Sequence, residues 1–331
     1  MKKYKIGIVG GGFGKYGLIP AFRLDPRCEI VSICTKTKLT SESIAKEYLI
    51  NSSYTNYEKM IYESNLDIIA IATVPIIQEK IIELAAVKGI NIFCEKPAGT
   101  SYSKVVELNN LIKKNKIRTC IDFPFVEIEE FKYLKNIIDK SELGTIDRCN
   151  INWSFNAHHI KNKIISWKSS ETEGGGIVSM YASHSLNYIE FFFGKIKKLQ
   201  VTKHKNNELK VKLESIDGIF IDLKININAT KEKEHNLEIM GTKKSLLLSS
   251  KNPLRFSDFN INMDNQQIYI DKSKDNAEDQ RYLIVHSLVK KFIDSIAYNR
   301  SIFSDFDAGV RNQYLIGKVN DNNSLNNWIE L

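Results

Sequence analysis

The sequence predicts an α/β domain with a doubly wound parallel sheet, followed by an α+β domain whose sheet is mainly antiparallel. Three observations predict it. In the first third, short near-continuous apolar runs alternate with segments of helical period; that is the pattern of βαβ units whose parallel sheet is covered on both faces. Beyond about residue 122 the runs become closely spaced and alternate apolar with polar, as in antiparallel sheets with one wet face. The chain has 331 residues, 43% of them hydrophobic, enough for two cores at the usual domain size. The expected division is 1–122 and 123–331.

The strands of the first domain are expected at Lys5–Val9, Glu29–Cys34, Leu66–Ala72, Ile90–Cys94 and Arg118–Phe123. Helical periodicity falls at Ser41–Tyr48, Tyr57–Ser64, Ile77–Lys88 and Ser103–Asn115. A helix over Ile128–Lys140 precedes the alternating runs Asp147–Phe155, Ile196–His204, Lys210–Ser215, Gly218–Ile227, Asn236–Met240 and Ser245–Leu248. Asp217-Gly218 is a hairpin signal between two of them. Ser183–Phe193 reads as a helix with Leu186, Ile189, Phe192 and Phe193 toward the core. Two helices, near Gln280–Tyr298 and Phe306–Asn320, close the chain. The polar stretch Asp264–Glu278 reads as a mobile loop with a short strand near Ile268–Ile270.

The composition narrows the function classes. The formal charge of +8 comes from lysines scattered along the whole chain, not gathered in the stripe or tail that a nucleic-acid partner needs. No apolar stretch approaches a membrane span, and the run Ile6–Val9 is too short for a signal peptide. The five cysteines are odd in number and lack a CxxC pair, which suggests buried thiols in a reducing compartment and no zinc site. A cytoplasmic protein without a metal, nucleic-acid partner or membrane is expected.

The first chemical signal is Gly10-Gly11-Gly12-Phe13-Gly14-Lys15-Tyr16-Gly17, between the first strand and a helix. Unpaired N–H groups at a helix start attract a pyrophosphate if no side chain blocks it. This is the setting of a Rossmann dinucleotide site. The register has two readings. Gly12 and Gly17 complete GxGxxG, whereas Gly10 directly follows the strand and is preferred as the first glycine. At the end of the second strand an acid would accept the ribose 2′-OH of NAD. Here Thr35-Lys36-Thr37-Lys38 offers hydroxyls and lysines, which suit a 2′-phosphate and favour NADP over NAD slightly.

The run Ile90–Ala98 is a strand ending in Glu95-Lys96-Pro97. With this motif, the glycine loop, Asp67–Pro75, and Gly174-Gly175-Gly176 followed by Ser183-His184, the chain resembles the Gfo/Idh/MocA oxidoreductases over nearly its whole length. The resemblance implies a Rossmann domain followed by a domain with a large open sheet that commonly builds dimers or tetramers. It also implies cofactor contacts at Gly10, Gly12, Phe13, Gly14, Thr35, Lys36, Thr73, Pro75, Glu95 and Lys96. The substrates it implies are sugars, nucleotide sugars, cyclitols and related secondary alcohols. Lys96 is then a catalytic residue that stabilises the alkoxide-like charge on the reacting oxygen, and Glu95 holds its ammonium. His184 handles the hydroxyl proton.

The chain departs from the family pattern in several places. Asp often stands four residues before the histidine and three after it, where this chain has Met180 and Asn187. Met180 cannot raise the basicity of an imidazole as a carboxylate does; Tyr181 is a candidate substitute. Gln78 replaces a frequent histidine, and Asp122–Val126 lacks a frequent arginine. Phe155, His158, His159 and Trp167 suggest an aromatic pocket that stacks on a sugar ring, or simple loop packing. Substrate contacts are expected at Lys96, Trp167, Tyr181 and His184, with Lys96 and His184 converging on one oxygen. The alternative is a regulator that binds cofactor but has lost turnover.

Overall fold

The computed structural model describes residues 3–164, 167–170, 173–205, 207–252, 258–270 and 281–331. It forms two compact units. The first contains the chain up to Pro124, the segment ending at Gly174, and Arg281–Gln313. The second contains the remainder, including Tyr314–Leu331.

The first unit is built on strands β1 (Tyr4–Val9), β2 (Cys28–Cys34), β3 (Ser52–Tyr54), β4 (Ile68–Ile71), β5 (Asn91–Cys94) and β6 (Thr119–Ile121). All pairings are parallel, in the order β3-β2-β1-β4-β5-β6. This is the doubly wound order that places ligands outside the carboxyl ends of the strands. Its helices are α1 (Ile19–Arg23, continuous with a π-helical turn at Gly14–Leu18), α2 (Lys38–Glu47), α3 (Tyr57–Glu63), α4 (Pro75–Val87) and α5 (Tyr102–Lys114). Side-chain caps from Thr37, Asn56 and Ser101 start α2, α3 and α5 by accepting from a backbone N–H three residues on. β3 was not expected: its three residues are polar or only partly buried, too few for periodicity to register.

The second unit holds α6 (Glu129–Asp139), β7 (Ile146–Ser154), α7 (His158–Lys161), α8 (Ser183–Phe193), β8 (Ile196–Lys205), β9 (Glu208–Ser215), β10 (Phe220–Asn226), β11 (Glu234–Gly241), β12 (Ser245–Ser250), β13 (Asn260–Met263), β14 (Gln266–Ile268) and β15 (Ile329–Glu330). They make a nine-stranded sheet ordered β14-β13-β12-β11-β7-β10-β9-β8-β15. Among the described strands of this sheet, only β7 and β10 pair in parallel. The β9–β10 hairpin turns at Asp217-Gly218, with Gly218 at φ +81°. The short strand expected at Ile268–Ile270 is β14 and ends at Ile268; the loop expected at Asp264–Glu278 lies partly outside the described residues. β7 shows why this sheet has one covered face: Cys149, Ile151 and Trp153 are buried and alternate with partly open Asn150, Asn152 and Ser154. α8 covers that face through Tyr188, whose ring meets His235 of β11, and α6 packs on α8 through Phe131.

The return of Arg281–Gln313 to the first unit is invisible to a linear reading. α9 (Arg281–Tyr298) presents Val285, Leu288, Val289, Phe292 and Ile293, all buried, to a core that includes Ile6, Ile8, Phe22 and Phe93. Phe93 meets Phe22 and Phe292 edge-on at 5.4 and 5.9 Å. The i, i+3, i+4, i+7, i+8 spacing is an ordinary amphipathic stripe, and nothing in it states which sheet it will cover. α10 (Phe306–Val319) begins there too, with Phe306 donating its N–H to Thr119 Oγ1 at 3.1 Å. Among the described residues no helix is long and apolar enough to cross a membrane.

Candidate active site

The glycine loop leaves β1 at Gly10, whose φ of +119° is strained for any residue with a side chain. A Cβ there would also lie 2.2 Å from the Ala72 carbonyl oxygen. At Gly12 the situation is reversed: a Cβ would meet nothing within 4 Å. The backbone therefore faces open space where the helix begins, and Lys15 and Tyr16 turn back to the Gly12 carbonyl. That is a cradle of the kind a pyrophosphate fills. Phe13 lies under the guanidinium of Arg281, 5.5 Å from its ring centre, a partner that no motif announces.

The turn after β2 is less open than its hydroxyls suggest. Thr35 is buried, and its hydroxyl donates to the Thr37 carbonyl at 2.9 Å. It braces the turn. Lys36 is exposed and joins no ion pair among the described residues, whereas Lys38 lies 3.7 Å from Glu42.

Lys96 sits in a turn at the carboxyl end of β5, with a cis Lys96–Pro97 bond. α4 holds this turn from both sides. The Gln78 amide, fully buried, donates to the Glu95 carbonyl at 2.7 Å and the Pro97 carbonyl at 2.8 Å. Glu79 accepts from the Thr100 N–H at 2.6 Å and its hydroxyl at 2.9 Å. Gln78, which the sequence shows only as a missing histidine, is thus a clamp on the lysine turn. Pro75 is buried at the start of α4, and Thr73 is partly open just before it. Burial raises the Glu95 carboxyl above its usual range, and the nearby Lys96 charge opposes that shift.

The second unit presents a different surface. Tyr181 and His184 are one helical step apart, at the end of a π-helical turn and the start of α8. Both rings touch Trp153, at 6.0 and 6.3 Å between centres. His184 also meets Phe125 at 5.2 Å. Behind them His235 stacks flat on Trp153, 4.6 Å away and 8° from parallel, and shares a 3.0 Å hydrogen bond with the Tyr188 hydroxyl. Burial drives the His235 imidazole down to about 3, so it stays neutral, and raises the Tyr181 phenol to about 12. Sequence reasoning passed over Trp153 and His235 because alternating strand residues look like core.

One expectation needs adjustment here. Phe155 is fully buried against Trp153 and Tyr181; it is packing, with no free face for a sugar. Within the glycine triplet, a Cβ on Gly175 would lie 2.1 Å from the Trp167 carbonyl oxygen. At that position the close neighbour is the chain itself. Trp167 is partly buried, His158 exposed and His159 partly exposed. Lys96 belongs to the first unit and His184 to the second.

Comparison with known proteins is consistent with these features. A model of the oxidoreductase family with an NAD-binding Rossmann fold matches residues 4–123, and one of its C-terminal α/β domain matches 135–327. The chain belongs to the Gfo/Idh/MocA oxidoreductase family. An uncharacterized oxidoreductase of Synechocystis is 23% identical, covering 98% of this chain and 95% of that protein. A 2,7-anhydro-N-acetylneuraminate hydratase of Escherichia coli is also 23% identical, over 57% of this chain and 50% of its own length. Among solved structures, levoglucosan dehydrogenase with NADH and L-sorbose has a TM-score of 0.88 at 16% identity, covering 100% of this chain and 99% of that one. An aldose-aldose oxidoreductase from Caulobacter crescentus has a TM-score of 0.84 at 14% identity over the full length of both chains. At these identities the structural likeness establishes the fold of this Gfo/Idh/MocA protein.

Proposed function

We propose that this Gfo/Idh/MocA protein is an NAD(P)-dependent dehydrogenase or reductase acting on a secondary alcohol or ketone of a sugar, nucleotide sugar or cyclitol. The observation that carries the reading is the lysine turn. Lys96 leaves the carboxyl end of β5 in the same parallel sheet whose first strand ends in the open glycine cradle. A buried glutamine holds its backbone, and Glu95 lies beside it. The sugar class is supported by the names of the structural neighbours, which include a levoglucosan dehydrogenase and an aldose-aldose oxidoreductase.

When bound, the nicotinamide cofactor supplies or accepts the hydride. The protein's own residues do the rest. Lys96 donates a hydrogen bond to the substrate oxygen and stabilises the charge that develops there. His184 takes the hydroxyl proton in oxidation and returns it in reduction. Trp167 and Tyr181 contact the substrate. Gly10, Gly12, Phe13, Gly14, Thr73, Pro75 and Glu95 line the cofactor, and Thr35 and Lys36 shape its ribose end, with NADP slightly favoured. A cytoplasmic homodimer or homotetramer completes the proposal.

The test is to mix purified protein with NADH or NADPH and a panel of keto-sugars, following the absorbance of the reduced nicotinamide. At least one sugar is expected to be reduced. Lys96→Ala is expected to lower kcat by roughly 10²–10³, with a smaller loss of cofactor affinity; undiminished turnover would remove the mechanism. Met180, standing where relatives often carry Asp, favours a second reading: a protein that binds cofactor without turnover. Tight NAD(P)H binding with no active sugar would support it.

A further inference from the structure

Beside Lys96 the fold brings two carboxyl groups together. β5 and β6 pair with Cys94 opposite Ile121, so the next residues, Glu95 and Asp122, leave the sheet side by side. The Asp122 N–H donates to the Cys94 carbonyl at 2.8 Å. The two side chains are hydrogen-bonded to each other. An ionised carboxylate has only acceptor oxygens, so such a contact needs a proton between the groups.

Burial decides which residue holds that proton. Asp122 is 2% exposed, whereas Glu95 is partly open to solvent. Asp122 Oδ1 is buried with no hydrogen-bond partner among the described residues, which a neutral C=O tolerates far better than a charged oxygen does. Burial, then the Glu95 charge, hold the Asp122 carboxyl well above the usual range. Two cations face the pair: Lys96 from the turn and Arg281 from the start of α9. The neighbouring Cys94 thiol is pushed up chiefly by burial and then by the Glu95 charge, so it stays neutral.

We propose that Asp122 is a positioning residue for Lys96: as a neutral acid it donates its proton to Glu95, leaving one negative charge, on Glu95, for two cations. A second negative charge would compete with a substrate oxygen for the ammonium's donors; a single charge orients it with less competition. The inference rests on the reading of Lys96 as the group that meets the substrate.

The test compares Asp122→Asn with Asp122→Leu. An asparagine amide donates to Glu95 as a protonated aspartate does, so Asn replaces neutral with neutral. The Lys96 ammonium, followed by NMR of ¹⁵N-lysine protein, is expected to titrate at the same pH in wild type and Asp122→Asn. If Asp122 is ionised in the wild type, removing its charge lowers that midpoint by about a unit or more, and the proposal is overturned. Infrared spectra of ¹³C-aspartate protein are expected to show a protonated-carboxyl band at neutral pH that Asp122→Asn abolishes; no band in the wild type also overturns it. With an active sugar in hand, Asp122→Leu is expected to lower kcat about tenfold with KM little changed, and Asn to restore it. Full kcat in the Leu variant removes the positioning role. Should Asp122→Leu not fold, the Asn variant decides alone. The spectroscopic arms need no substrate, so failure of the dehydrogenase reading, shown by an indifferent Lys96→Ala, is distinguishable from failure of the proton-sharing pair.

Discussion

The lysine turn and the histidine helix offer the two candidate reacting groups, and they are held by opposite means. Around Lys96 the scaffold is polar: an amide clamps two carbonyls, a carboxylate caps the following turn, and a second carboxyl leans on Glu95. Around His184 the scaffold is aromatic: Phe125, Trp153 and His235 meet ring to ring. The polar scaffold fixes directions, because hydrogen bonds have angles. The aromatic scaffold fixes position by volume. His184 is set among aromatic rings.

That contrast predicts which substitutions cost most. The largest effect is expected on the aromatic side. Trp153 is 4% exposed and touches Phe125, Phe155, Tyr181, His184 and His235. Trp153→Ala is expected to lose about 3–5 kcal/mol of stability, measured by denaturant unfolding. A loss below about 1 kcal/mol would mean the cluster is not what holds the helix.

The acid side of the pH–stability curve tests the same cluster. His235 is neutral in the fold, with its imidazole at about 3 against 6.5 when exposed. Between those values the unfolded chain binds a proton that the folded one refuses. Stability is therefore expected to fall as pH drops below 6.5, by up to about 1.4 kcal/mol per pH unit. His235→Phe is expected to flatten that slope; an unchanged slope would place the acid sensitivity elsewhere.

On the polar side, Gln78→Leu leaves the Glu95 and Pro97 carbonyls without their donor. Each buried orphan costs about 1–3 kcal/mol at most, and relaxation of the turn toward solvent lowers this. The more telling readout is activity: the turn carries Lys96, so kcat is expected to fall while NAD(P)H still binds in the glycine cradle. Equal losses in binding and kcat would mean the clamp supports the whole unit and not the turn.

The same contrast explains what could be read from the chain. The glycine loop and Glu95-Lys96-Pro97 are contiguous, so a motif contains them. β1, β2, β4, β5 and β6 were legible because buried parallel strands are nearly all apolar. The supports are not contiguous. Gln78 lies seventeen residues before Glu95, and Arg281 reaches Phe13 from the far end of the chain. Trp153 and His235 sit on paired strands, β7 and β11, far apart in sequence. Alternation says that both face inward; only the register says that they stack.

The smallest expected effect lies at the turn after β2, where sequence and structure pull in different directions. The absence of an acid after Cys34 favours NADP. The Thr35 hydroxyl, however, is committed to Thr37, and Lys38 is engaged by Glu42. That leaves Lys36 as the exposed cation of this turn that joins no ion pair among the described residues. One exposed, solvated charge contributes on the order of 1 kcal/mol or less. A preference for NADPH of only a few-fold is therefore expected, and it should weaken as salt rises. Lys36→Asp should reverse it, since a carboxylate repels a 2′-phosphate and accepts from a 2′-OH. Titrating both cofactors by fluorescence at low and high salt measures the ratio. A preference that survives both the substitution and the salt would place 2′ recognition away from this turn.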